Sequence, residues 1–198
     1  MKIESFNIKL VFVIFVLSIC SCKSNSEEKL EVVTYSQFNQ FVKKTGYVTD
    51  AERFGWSIVQ MDVFNFKKVK GANWRKPDGK NKVMSGNLPV TQVSYNDAIA
   101  YCKWSRTRLP SYDEYWDLIK EDKRVIITDN IAPIAAVEKA NILGNVWEIT
   151  STESNGNIRI AGGSLFCSAS TCHGTKKERK VYIDKQTGNL HIGFAVIH

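Results

Sequence analysis

The sequence predicts an α+β domain rich in irregular structure, and three observations carry that reading. Three Ser/Thr positions each precede an amphipathic stretch by one residue, which is the chemistry of a helix start. Long Gly/Pro-containing or aperiodic segments separate those helices. Short apolar or alternating runs near the end, Ile158-Arg159-Ile160 and Ile192 to Ile197, read as strands.

Taken in order, the chain opens with Lys2 and Lys9 against a single Glu4, then an apolar run from Leu10 to Ile19 and the sequence Ile19-Cys20-Ser21-Cys22. A basic start, a short apolar stretch and a small residue before a cut describe an export signal over residues 1–21. The run is short of the ~20 residues that a membrane-spanning helix needs. Ser21 before Cys22 looks like a bacterial lipobox, with Cys22 as the lipidated residue and Cys20 as the weaker acceptor. Residues 22–30 then read as a polar tether, with nothing to bury. Lysine after Cys22, rather than aspartate, favours the outer membrane, so the expected location is the cell envelope, held to the membrane by lipid.

Residues 31–198 form the predicted domain, large enough for one hydrophobic core. Thr34 caps a helix in which Tyr35, Phe38, Phe41 and Val42 share a face, ending at Gly46. The polar and aromatic stretch from Gly46 to Trp56 has no period and is expected to be an ordered loop. Residues 67–90 are basic, contain five Gly or Pro residues and read as a long loop. Ser94 with Asp97, and Ser111 with Glu114, resemble capping boxes that start two further helices.

Composition narrows the function. The formal charge is +7, and removal of residues 1–21 takes two lysines and one glutamate with it, leaving +6. The excess lies in Lys67, Lys68, Lys70, Arg75, Lys76, Lys80 and Lys82, and again in Lys176, Lys177, Arg179 and Lys180. On an exported chain these read as solvated loops, and no nucleic-acid partner is expected. Of five cysteines, Cys102 falls on an amphipathic helix and reads as a buried structural thiol. Cys167 and Cys172 follow Gly162-Gly163-Ser164 closely. Two thiols at that spacing can hold Cu(I) or close into one disulfide.

The blocks Thr45 to Trp56, Pro89 to Ala98, Ala100 to Trp104, Arg108 to Ser111, Gly144-Asn145-Val146-Trp147-Glu148, Gly162-Gly163-Ser164 and Ile192-Gly193-Phe194 run in one order along the chain. In that order they resemble formylglycine-generating enzymes, the sulfatase-modifying factor family. The resemblance implies a C-type-lectin-like α+β fold. It also implies oxidation of a cysteine in a sulfatase-type protein substrate to formylglycine, with O2 and Cu(I). Cys167 and Cys172 match the family's copper-holding cysteines, and linear two-thiolate coordination suits Cu(I). Ser164 matches an active-site serine near the oxygen-binding position, or else is a turn hydroxyl. Trp147 matches a tryptophan at the substrate groove, or else is a core aromatic. Asn141, Gly144, Val146 and Glu148 match a Ca²⁺ site built from oxygen donors.

Departures from the family pattern accompany these matches. The segment between Asp117 and Ala140 is short, so at most one calcium is expected. Thr171 stands where a tyrosine is usual and Ala195 where an arginine is usual, changes that bear on substrate recognition. The three histidines, His173, His191 and His198, lack iron-site spacing and read as surface residues. Three functions stay open: the copper oxidase, a scaffold or binding lipoprotein that kept the fold without the chemistry, and a structural domain with a Cys167–Cys172 disulfide.

Overall fold

The computed structural model describes residues 28–62, 65–83, 85–120, 134, 136–137, 143–166 and 175–198. Cys22 and the whole expected leader lie outside them. Among the described residues no helix is long and apolar enough to cross a membrane.

The two ends of the described chain pair with each other. Strand β1 (Leu30–Val32) runs antiparallel to β8 (Ala195–Ile197), with Leu30 opposite Ile197. Leu30 is buried and Glu28 bridges to Arg108 at 3.2 Å, so the fold reaches into the stretch expected to be tether.

Helix α1 (Tyr35–Thr45) starts as its sequence requires. The Thr34 side chain accepts from the Gln37 N–H while Gln37 closes the box on the Thr34 backbone, and Gly46 ends the helix at φ 70°. The following stretch, expected to be loop, contains a second short helix, α2 (Asp50–Phe54), with its own capping box from Thr49 and Glu52. Its single turn carries no hydrophobic period, which is why local patterning missed it; the cap alone was the signal. Strands β2 (Trp56–Gln60) and β3 (Phe66–Lys70) then form an antiparallel hairpin. Strand β3 corrects the expected loop over 67–90 at its start. Its Phe-Lys-Lys-Val-Lys sequence has no apolar face because the strand is largely exposed.

Helices α3 (Tyr95–Ser105) and α4 (Tyr112–Ile119) begin at the capping boxes of Ser94/Asp97 and Ser111/Glu114 as predicted. Buried carboxylates tie α2 to α3. Asp97 accepts from the Asp50 N–H (3.1 Å), the Ser94 N–H (2.9 Å) and Tyr47 Oη (3.0 Å). Asp50 accepts from Ser94 Oγ (2.6 Å) and Asn96 Nδ2 (3.1 Å), and pairs with Arg53. Charge taken out of water is tolerated when it is bonded this completely.

The remaining strands, β4 (Trp147–Ser154), β5 (Asn157–Ala161), β6 (Val181–Ile183) and β7 (Ile192–Gly193), form one sheet in the order β6-β5-β4-β7. The β4–β7 pair is parallel and the others antiparallel. The predicted apolar ending is thus two strands: β7 joins the large sheet and β8 pairs with β1, with the buried Phe194 between them.

Phe38 organises the main core. It is 0% exposed and lies 5.3 Å from Phe41 and Trp74, 6.0 Å from Tyr101 and 6.3 Å from Phe194, ring centre to ring centre. A second cluster, with Tyr112, Tyr115 and Ile119 of α4 against Leu30 and Ile197, seals the other side. Phe38→Ala is expected to cost about 3–5 kcal/mol in urea denaturation. Phe66→Ala, on the exposed hairpin, should stay within about 0.5 kcal/mol. Equal costs at the two positions would contradict this placement of the core.

Candidate functional site

The turn that leaves β5 is the structural centre of the candidate site. Gly162 and Gly163 both adopt left-handed backbone, at φ 89° and 72°. A Cβ on Gly162 would run into Tyr115 Oη and would lie 3.8 Å from Glu148 Cγ. Glycine is thus required twice over, by conformation and by space. The turn is pinned to the loop that precedes β4: Gly144 N–H donates to the Gly162 carbonyl (2.9 Å) and Leu165 N–H to the Asn145 carbonyl (3.3 Å).

Ser164 follows that turn and is 2% exposed. Its Oγ accepts from the Phe166 N–H at 3.3 Å and lies 3.1 Å from His191 Nδ1. His191 is 1% exposed, which corrects the expectation of a surface histidine. The Phe166 ring stacks on the imidazole at 3.8 Å, and the His191 carbonyl accepts from the Trp147 N–H at 2.8 Å. His191 leads directly into the apolar run Ile192 to Ile197. A polar residue heading a buried strand was the available signal, and it is a weak one. His198 is exposed as expected and pairs with Glu31 at 2.8 Å. His173 lies outside the described residues.

Glu148 occupies the middle of the large sheet, opposite Ala161 of β5 on one side and Gly193 of β7 on the other. It is 0% exposed, and neither carboxylate oxygen finds a hydrogen-bond partner among the described residues. Burial raises its pKa from the ordinary 4.5 to about 8. Burial also lowers the His191 pKa from 6.5 to about 3. The directions are opposite because a low-dielectric site disfavours the charged form of each group.

Of the residues expected to bind calcium, Gly144 and Val146 are buried just before Glu148 in the same segment, and Asn141 lies outside the described residues. Among the described residues no three His, Cys, Asp or Glu side chains converge. Among the described residues a cation here would meet Glu148 as its charged side chain, with main-chain oxygens of the same segment beside it. An orphaned buried carboxylate beside a tight loop fits a hard cation such as Ca²⁺. Trp147, read either as a groove tryptophan or as a core aromatic, is 8% exposed and packs in the main core. Cys167 and Cys172 lie outside the described residues. Two thiolates form a donor set suited to Cu(I).

Residues 29–117 match the family profile described as a Sulfatase-modifying factor enzyme 1-like domain. Over that stretch the chain is similar to the sulfatase-modifying factor family, that of the formylglycine-generating enzymes. It is 43% identical over 100 residues to the formylglycine-generating enzyme of Streptomyces coelicolor, an alignment covering 42% of this chain and 32% of that protein. It therefore spans about a third of the length of such relatives. It is also 29% identical over 190 residues to the inactive C-alpha-formylglycine-generating enzyme 2 of Bos taurus, covering 68% of this chain and 63% of that one. The fold resembles the solved structure of PvdO from Pseudomonas aeruginosa, with a TM-score of 0.56, 14% identity, and coverage of 84% of this chain and 77% of that one.

The two buried titratable groups give opposing pH slopes. A carboxyl whose folded pKa is raised has its full contribution to stability below the unfolded value of 4.5 and loses it as pH rises through about 8. A histidine whose folded pKa is lowered loses stability as pH falls from 6.5 toward about 3. The slopes offset each other from 4.5 to 6.5, and only the Glu148 slope remains above that. In chelator-treated buffer the melting temperature is expected to fall between pH 6.5 and 8, and Glu148→Gln should remove that fall. A flat wild-type profile over this interval would contradict the uncompensated state of the carboxylate.

Proposed function

We propose that this chain is a formylglycine-generating oxidoreductase of the bacterial envelope, acting on a cysteine in a sulfatase-type protein with O2 as oxidant. The observation that carries the reading is the Gly162–Ser164 turn. Its backbone is fixed by two left-handed glycines, and its serine is buried three residues before the first of the paired thiols. Similarity over part of the chain to relatives named for this activity supports it.

In this reading Cys167 and Cys172 hold Cu(I), and the metal supplies the redox chemistry when bound. The chain's own residues then have separable duties. Ser164 presents a hydroxyl in a site closed to bulk water. The glycine turn holds the backbone that leads to the thiols in one conformation. Asn141, the main-chain oxygens of Gly144 and Val146, and Glu148 hold Ca²⁺, which neutralises the buried carboxylate and braces the loop against the turn. Cys22 carries the lipid that attaches the protein to the membrane, and the outer membrane is the proposed address.

A second reading, a scaffold or binding lipoprotein without catalysis, is favoured by the similarity to a relative named as inactive. The two separate in one assay. Reduced full-length chain should bind about one Cu(I), the stoichiometry of a two-thiolate site. It should then convert peptides of the pattern Cys-x-Pro-x-Arg to an aldehyde captured by an aminooxy probe and read by mass spectrometry. Cys167→Ser and Cys172→Ser should each abolish turnover with the fold intact. Copper-loaded protein that leaves several such peptides unchanged would overturn the oxidase and favour the scaffold. Addition of Ca²⁺ should abolish the fall in melting temperature between pH 6.5 and 8, because a cation on Glu148 keeps the carboxylate charged across that interval. A fall unchanged by Ca²⁺ would remove calcium from the reading.

A further inference from the structure

A serine hydroxyl has one proton to donate and two lone pairs with which to accept. At Ser164 one lone pair takes the Phe166 N–H at 3.3 Å, and His191 Nδ1 stands 3.1 Å from the same oxygen. The direction of that second bond depends on where the imidazole proton sits. If Nε2 carried it, a buried N–H would have no acceptor among the described residues. An orphaned buried donor is among the rarest and costlier arrangements in a folded protein. With the proton on Nδ1, that N–H donates to Ser164 and Nε2 is left as a bare lone pair, an acceptor that proteins leave unmet more readily. The Phe166 ring stacked at 3.8 Å and the near-complete burial of His191 keep the ring from charging, in line with its lowered pKa.

We infer that His191 is a positioning residue that, through an Nδ1–H bond to Ser164 Oγ, fixes the serine as a hydrogen-bond donor toward an electron-rich ligand atom. Two N–H groups fill the hydroxyl's lone pairs, so its own proton is the one interaction left to offer. The pair is therefore set against nucleophilic use of Ser164, since Nδ1 has no lone pair with which to take the serine's proton. A group carrying negative charge or exposed lone pairs, such as a thiolate or partly reduced oxygen, is the ligand chemistry that such a donor recognises. The polarity of the hydroxyl stands on this geometry alone. That its ligand is an atom of the reacting cysteine or of the oxidant rests on the oxidase reading above.

The tautomer is directly observable. In full-length chain labelled with ¹⁵N-histidine, the His191 signals are identified as those that persist in both His173→Gln and His198→Gln. The expected spectrum at neutral pH shows a protonated, pyrrole-type Nδ1 and an unprotonated, pyridine-type Nε2. A proton on Nε2, or a charged ring, would overturn the inference whether or not the protein turns over any peptide. In the peptide assay, His191→Leu should lower kcat roughly ten- to hundredfold, the size typical for residues that orient a reacting group. KM should stay nearly unchanged. His191→Asn, which keeps an N–H close to the Nδ1 position, should recover most of the loss. In the Ser164→Ala background, His191→Leu should have no further effect. Full additivity of the two changes, or no recovery by a folded Asn variant, would refute the positioning role. Absence of turnover in the wild type would defeat the oxidase reading while the NMR result still decides the tautomer.

Discussion

A carboxylate closed off from water in the middle of a sheet is the constraint around which this structure is arranged. Glu148 has β5 on one side and β7 on the other, and neither of its oxygens is satisfied by the described residues. Such a group has two ways to avoid the cost of an isolated buried charge: keep a proton or take a cation. Both depend on the same neighbours. Gly162 leaves no Cβ between Glu148 and Tyr115, and Gly193 lets the Val90 carbonyl approach the opposite strand. The loop before β4 is bonded to the turn after β5, so a change at the carboxylate reaches Ser164 through one hydrogen-bonded frame.

The two hydrophobic clusters hold that frame from either side. The Phe38-centred cluster includes Trp147 and Ile149 of β4, and the α4 cluster includes Ala161 at the end of β5. The sheet residues flanking Glu148 are thus packed from both directions, leaving its surroundings little freedom to open and admit water. The polar site and the apolar core are one structure here, and the rigidity needed at Ser164 comes from packing on β4 and β5 rather than from the turn alone.

What could be read from the sequence follows from how local each determinant is. The starts of α1, α3 and α4 were legible because a capping box is complete within four residues, and Gly162-Gly163-Ser164 stood out as one block of the family resemblance. Helix α2 had the same cap but too few residues to show a period. Strand β3 was hidden because its register is set by pairing with β2, while its own composition is that of an exposed basic loop. His191 was misplaced for a related reason. It is a polar residue whose burial is decided by segments distant in sequence, the β4–β7 contact and the Gly162 turn. The ligand roles of Asn141, Cys167 and Cys172 came from family resemblance, and the geometry bears on them only through Glu148 and Ser164.

Cys102 gives the odd thiol count a physical meaning. It sits on α3 with its side chain in the main core, and burial pushes its pKa up to about 11. At neutral pH only about one such thiol in ten thousand is ionised, and the thiolate is the form that attacks a disulfide or accepts an oxidant. On the proposed route to the cell envelope, an oxidising compartment, three remaining sulfurs would be able to form a wrong cross-link. Packing on α3 retires one of the three from that competition, so any exchange within the domain is confined to the pair downstream of Ser164.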